Sequence, residues 1–117
     1  KELPPVDAVY QFLRYTTLST TDLDALTKKK KIPIITIHQA KGAEFDDVFL
    51  AGLQQGTFPG LPALKKKDTS EEKRLFYVAI TRAKRQLFLS WCQFRYGHYQ
   101  HESEFIRALP SDCVRRV

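Results

Sequence analysis

Methionine is absent from this 117-residue chain and cysteine nearly so, with Cys92 and Cys113 alone. The two cysteines form no CxxC pair and have no histidine at zinc-ligand spacing, so neither a disulfide framework nor a structural metal site is indicated. An intracellular, cytoplasmic setting is the simplest expectation. Long apolar runs are also missing: none approaches the ~18 residues that a membrane span needs. The amino end carries no signal-peptide pattern, so no membrane partner is expected. An open reading frame ordinarily starts with methionine, and its absence here leads us to expect a fragment excised from a longer polypeptide. Internal repeats are lacking too.

What is present is ordinary for a globular core: 43% hydrophobic and 27% charged residues, which excludes global disorder and fibrous architecture. The length suits one domain or the core of one. Lysine and arginine outnumber aspartate and glutamate by 19 to 13, a formal charge of +6, which favours polyanionic partners without establishing one.

Val6, Val9, Tyr10, Phe12 and Leu13 have the spacing of a short helical stripe after Pro4 and Pro5. The threonine-rich stretch 16–31 then ends in four lysines and has little to bury, as expected of a connector. Ile32–Ile37 and Val48–Leu53 are short apolar runs that read as strands buried on both faces, and Gln86–Cys92 reads as a third strand. Gly56, Pro59, Gly60 and Pro62 mark an irregular loop running into Lys65, Lys66 and Lys67, which reads as a solvated basic loop. Thr69 and Glu72 have capping-box spacing ahead of a helix carrying Leu75, Phe76, Val78, Ala79, Ile80 and Ala83, with Arg82, Lys84 and Arg85 at its far end. Phe94–His101 reads as loop, and Ser103–Leu109 as a short helix stopped by Pro110. Strands joined through loops and helices predict an α/β layer architecture with a mostly parallel sheet.

The polar chemistry gathers between the first two expected strands. Thr36-Ile37-His38-Gln39-Ala40-Lys41-Gly42-Ala43-Glu44-Phe45 brings a hydroxyl, an imidazole, an ammonium, a glycine and a carboxylate into one short stretch. Glycine permits close backbone approach, lysine and backbone N–H groups attract phosphate, and a carboxylate can accept from a ribose hydroxyl. Such a loop suits a phosphate-bearing ligand, although any exposed strand-to-helix loop collects polar residues. Arg82 lies near one side of the apolar face of the expected helix. It is placed either to point into a cleft or to lie past the core edge and interact with the helix dipole.

Two longer segments separate these alternatives. TIHQAKGAEFDDVFLAGLQQGTFP closely resembles the region around motif V of the UvrD/Rep/PcrA-like superfamily 1 DNA helicases, and EEKRLFYVAITRAKRQLFLS resembles their motif VI. Order and separation match as well, over roughly Ile34–Ser90, and SEFIRALP is similar to the family's short helix after the last strand. The resemblance implies a RecA-like (P-loop NTPase-like) three-layer domain, the second motor domain of such a helicase, over residues 32–117. Residues 1–31 then form the end of an accessory region and its return connector. It also implies that Thr36 and His38 lie toward single-stranded DNA, that Gly42 and Glu44 face ATP, and that Arg82 is a catalytic arginine finger on the γ-phosphate. Lys41 matches the motif with no assigned contact. Ala43 departs from the usual leucine, which puts the packing of that loop in doubt.

No GxxxxGK[ST] sequence occurs, and neither strand beside the loop ends in the acidic pair that would hold magnesium. By the resemblance, the phosphate cradle and the Mg2+ ligands come from the first RecA-like motor domain of the same polypeptide. The expected whole is an ATP-dependent DNA helicase moving 3′ to 5′ on single-stranded DNA or at a single/double-strand junction. The fragment alone is expected to hold no cofactor tightly and to be inactive. A reading of another class is a non-catalytic nucleic-acid-binding or protein-docking module that keeps the helicase-like fold. A P-loop encoded upstream in the same reading frame separates the two.

Overall fold

Two apolar runs pair in parallel to give the one sheet that carries the core. The computed structural model describes Val9 and residues 31–117, and the chain divides into two units, Lys1–Ala43 and Glu44–Val117. The second unit contains β1 (Phe45–Leu50), α1 (Leu61–Lys66), α2 (Ser70–Ile80), β2 (Ala83–Leu89), the hairpin β3 (Phe94–Arg95) and β4 (His98–Tyr99), α3 (Glu104–Arg107) and a 3-10 turn at Ser111–Cys113. β1 and β2 are neighbours and parallel, joined through α1 and α2 as a parallel pair requires. The α/β expectation holds. The expected helix over Val6–Leu13 and the connector 16–31 lie outside the described residues apart from Val9 and Lys31.

Both strands start three residues earlier than the apolar runs suggest. Charged residues open each strand because they face one another: Lys84 pairs with Asp46 at 3.4 Å, and Arg85 pairs with Asp47. These side chains are largely exposed, so the pairs contribute at most about 1 kcal/mol each, but they reward one register. β1 ends before Gly52, whose φ of +82° turns the chain. The register shifts between Phe45 and Asp47, where Phe45 faces Ala83 and Asp47 faces Gln86, so β2 carries one extra residue.

Beneath the sheet, Leu53, Phe76, Phe105 and Ile106 are buried, with Leu50, Phe58, Ile80, Leu89, Trp91 and Leu109 packed around them. The rings of Phe58, Phe76 and Phe105 meet at centroid distances of 5.5–6.2 Å. The outer face differs. Phe49 and Phe88, directly opposed across the ladder, stack at 4.4 Å and stay 76% and 43% exposed.

Several expectations need correction. Ile32–Ile37 is not a strand: residues 31–36 have no regular structure, residues 37–42 are turns, and Ile32 and Ile34 are about 90% exposed. A β-branched run becomes a strand only with a partner, and among the described residues none pairs with it; Pro33 also removes a donor. The tract after Gly60 is not irregular throughout, because Pro62 in the first turn starts α1 and Lys67 ends it in the left-handed region. The capping box does not form. The Thr69 side chain caps nothing, while Glu72 reaches back to accept from the Gly60 N–H at 2.7 Å, tying α2 to the start of α1. Asp68 instead accepts from the Ser70 N–H at 3.1 Å. Hydrogen bonding to Ser70, through its hydroxyl and then its backbone, holds the Asp68 carboxyl below its ordinary range.

At the carboxyl end the short helix is present as α3, capped by the buried Ser103, whose hydroxyl accepts from the Phe105 N–H at 3.2 Å. Phe94–His101, expected as loop, contains the β3–β4 hairpin. Tyr96 and Gly97 both take positive φ, 53° and 77°, the two-residue turn that matches strand twist.

Candidate nucleotide and nucleic-acid sites

Arg82 is not on the helix. α2 stops at Ile80, Thr81 is its cap, and Arg82 occupies the turn before β2. The chain leaves the helix there because Ala83 pairs with Phe45, a ladder that overrides the helical propensity of Ala83 and Lys84. The half-buried Arg82 side chain folds back on the helix end. Its Nε donates to the Val78 carbonyl at 3.0 Å and its Nη2 donates to Thr81 Oγ1 at 3.1 Å. A guanidinium at the negative end of a helix is favourably placed.

The backbone of Arg82 also places it beside the other expected nucleotide residue of the same unit. Its carbonyl accepts from the Phe45 N–H at 2.9 Å, so Glu44 and Arg82 immediately precede paired strand starts although they are 38 positions apart in the chain (82 − 44). Glu44 is exposed. An acceptor for hydroxyls and a delocalised cation therefore open the same end of the sheet, an arrangement suited to a polyphosphate ligand that also carries a sugar.

Thr36, His38 and Gly42 belong to the first unit. Thr36 and Gln39 bond reciprocally: the Thr36 N–H donates to Gln39 Oε1 at 3.0 Å, and the Gln39 N–H donates to Thr36 Oγ1 at 3.2 Å. The Ala40 N–H closes the turn on the Thr36 and Ile37 carbonyls. Thr36 and His38 are exposed on this tight turn. Gly42 has φ of +84°, a backbone that favours glycine, and no described residue lies within 4 Å of where a Cβ would stand.

A residue set that sequence reasoning missed is the hairpin. Phe94, Tyr96 and Tyr99 are 58%, 80% and 82% exposed. Phe94 packs edge-on against Tyr99 at 5.3 Å, and the Arg95 guanidinium lies 4.6 Å from the Tyr96 ring centroid. Exposed rings beside a cation are chemically suited to stacking against planar groups. The signal was in the sequence: aromatic residues flank Tyr96-Gly97, a dipeptide suited to a tight hairpin.

Residues 1–94 match the UvrD-like helicase C-terminal domain family, 80% of the chain (94/117). The chain belongs to that family. It is similar to DNA helicase II of Escherichia coli, 37% identical over 122 aligned positions that take in 100% of this chain and 16% of that protein. It is 38% identical to the ATP-dependent DNA helicase PcrA of Bacillus subtilis, covering 82% of this chain and 15% of the relative. Identity to the ATP-dependent DNA helicase Rep of Buchnera aphidicola is also 38%, over 74% of this chain and 14% of the relative. The chain thus spans about a sixth of the length of these relatives. Among the described residues of this UvrD-like domain, no group of three or more histidine, cysteine, aspartate or glutamate side chains could hold a metal ion.

Proposed function

We propose that this chain is the C-terminal motor-domain part of an ATP-dependent DNA helicase that moves 3′ to 5′ on single-stranded DNA. The observation that carries this reading is the hydrogen bond from the Phe45 N–H to the Arg82 carbonyl, which gathers Glu44 and Arg82 at one end of the sheet within a member of the UvrD-like family. In the complete protein the first RecA-like motor domain supplies the P-loop and the Mg2+ ligands. Glu44 and Gly42 face the nucleotide and Arg82 neutralises charge on the transferring phosphoryl group. The uncovered Phe49–Phe88 face supports a three-layer RecA-like architecture, with a second helical layer drawn from the rest of the polypeptide, since soluble proteins seldom leave a stacked aromatic pair bare.

Thr36, His38 and the β3–β4 hairpin supply the DNA contacts. A motor must step along any sequence, so these contacts rest on phosphate charge and base stacking, neither of which reads base identity. Binding is therefore expected to be independent of sequence and to weaken steeply as salt rises. Tyr96→Ala is expected to weaken single-strand affinity about tenfold, since one stacked base contributes roughly 1–3 kcal/mol. Titrations of unrelated single strands across a salt series check all three expectations. Salt-insensitive or sequence-selective binding contradicts the reading.

His38 gives a separate test in the complete helicase. Because it is assigned to DNA and not to ATP, His38→Ala is expected to depress the DNA-stimulated ATPase several-fold and to leave the basal rate near its original value. Steady-state rates with and without a single strand decide this. Equal loss of both removes the assignment.

A further inference from the structure

Thr81 is assigned no ligand contact, yet its hydroxyl lies at the centre of the arrangement that holds Arg82. Thr81 Oγ1 donates its single hydrogen to the Val78 carbonyl at 2.9 Å and accepts from Arg82 Nη2 at 3.1 Å. Arg82 Nε donates to the same carbonyl at 3.0 Å. The three groups form a closed circuit in which the guanidinium is gripped at two of its nitrogens, fixing the orientation of its plane as well as the reach of its side chain. The backbone is fixed at the same point, since the Arg82 N–H donates to the Ala79 carbonyl at 3.2 Å and its own carbonyl accepts from Phe45.

We propose that Thr81 is a positioning residue for Arg82, holding the cation pre-ordered for the phosphoryl group. The inference rests on the assignment of Arg82 given above. An unrestrained arginine must lose rotamer freedom to act on a transition state, and a side chain ordered beforehand avoids that loss at the chemical step. The role demands a group that donates and accepts at once while standing at the helix end. Threonine and serine meet that demand, and valine, nearly the same shape as threonine, does not.

The test uses the complete helicase with saturating unstructured single-stranded DNA and an ATP titration. Thr81→Val is expected to lower kcat about tenfold with KM for ATP within about twofold of its original value, because only a transition-state interaction is lost. Thr81→Ser is expected to stay within about twofold of the original kcat. In an Arg82→Ala background, Thr81→Val is expected to add nothing, the non-additivity of two residues acting through one group. Thr81→Ala carries the same expectation as Thr81→Val should the valine variant fold poorly. An unchanged kcat in Thr81→Val, or a loss that persists on top of Arg82→Ala, overturns the positioning role. If Arg82→Ala itself leaves kcat unchanged, the assignment of Arg82 falls and the role of Thr81 falls with it. A deep loss in Arg82→Ala with none in Thr81→Val removes the positioning role alone.

Discussion

Replacing Arg82 by alanine in the complete helicase is expected to slow ATP turnover by ~1,000-fold or more, the scale of an arginine finger, while nucleotide affinity and folding stay close to their original values. That loss corresponds to about 4 kcal/mol of transition-state stabilisation. The fold tolerates the change because the helix end does not depend on the guanidinium. With the side chain removed, the Val78 carbonyl keeps the Thr81 hydroxyl as a donor, and the Ala79 carbonyl keeps the backbone N–H of residue 82. Arg82→Lys is expected to recover little of the rate, since an ammonium cannot reproduce two bonds from separate nitrogens of a planar fork. Steady-state ATPase rates beside nucleotide-binding titrations measure the two effects separately. Near-normal turnover in Arg82→Ala would reduce this residue to a cation closing a helix.

The second large effect lies in the core. Phe76→Ala is expected to destabilise the fold by about 3–5 kcal/mol, a substantial share of the ~5–15 kcal/mol that holds a typical domain together. Phe76 is 5% exposed and its ring packs against those of Phe58 and Phe105, which also meet each other, so truncation opens a void shared by α2, α3 and the loop after β1. The neighbouring Tyr77, 66% exposed on the same helix, is the control: Tyr77→Ala should change stability by no more than about 0.5 kcal/mol. Equilibrium urea unfolding of the two variants reports the difference as a shift in midpoint. Equal shifts would mean that the aromatic cluster is not the core.

The elements that were legible in the sequence are those whose signal is local. The apolar spacing of Leu75, Phe76 and Ala79 marks α2, and Ser103 with Pro110 brackets α3. What escaped depends on partners distant in the chain. Asp46 and Asp47 look unsuited to a strand until Lys84 and Arg85 stand across from them. Arg82 looks like part of a helix until Phe45 claims its carbonyl. Glu72 looks like half of a capping box, and Gly60, twelve residues upstream, takes its carboxylate instead. Ile32–Ile37 has the composition of a strand, and composition cannot supply a neighbour. At the site, motif resemblance named Glu44 and Arg82, but it said nothing of the hydroxyl that grips Arg82. The hairpin was overlooked because its Tyr96-Gly97 turn is less familiar than asparagine-glycine, although both dihedrals have the same sign.

The hydrogen bond that joins the two strand starts works as a gauge. Because the Phe45 N–H is held on the Arg82 carbonyl and Phe45 faces Ala83, the distance from Glu44 to Arg82 is set by the ladder at that point, and not by the length of the chain running between the two strands. Adding or removing residues in the tract from Leu61 to Asp68 would leave that distance alone. Deleting Lys84 would close the bulge and still leave Phe45 opposite Ala83 and Asp47 opposite Gln86. Drift in length is therefore absorbed on both sides of the arginine, in the lysine-rich tract and in the bulge. The domain can vary its surface freely while keeping the calibration of that end of the sheet.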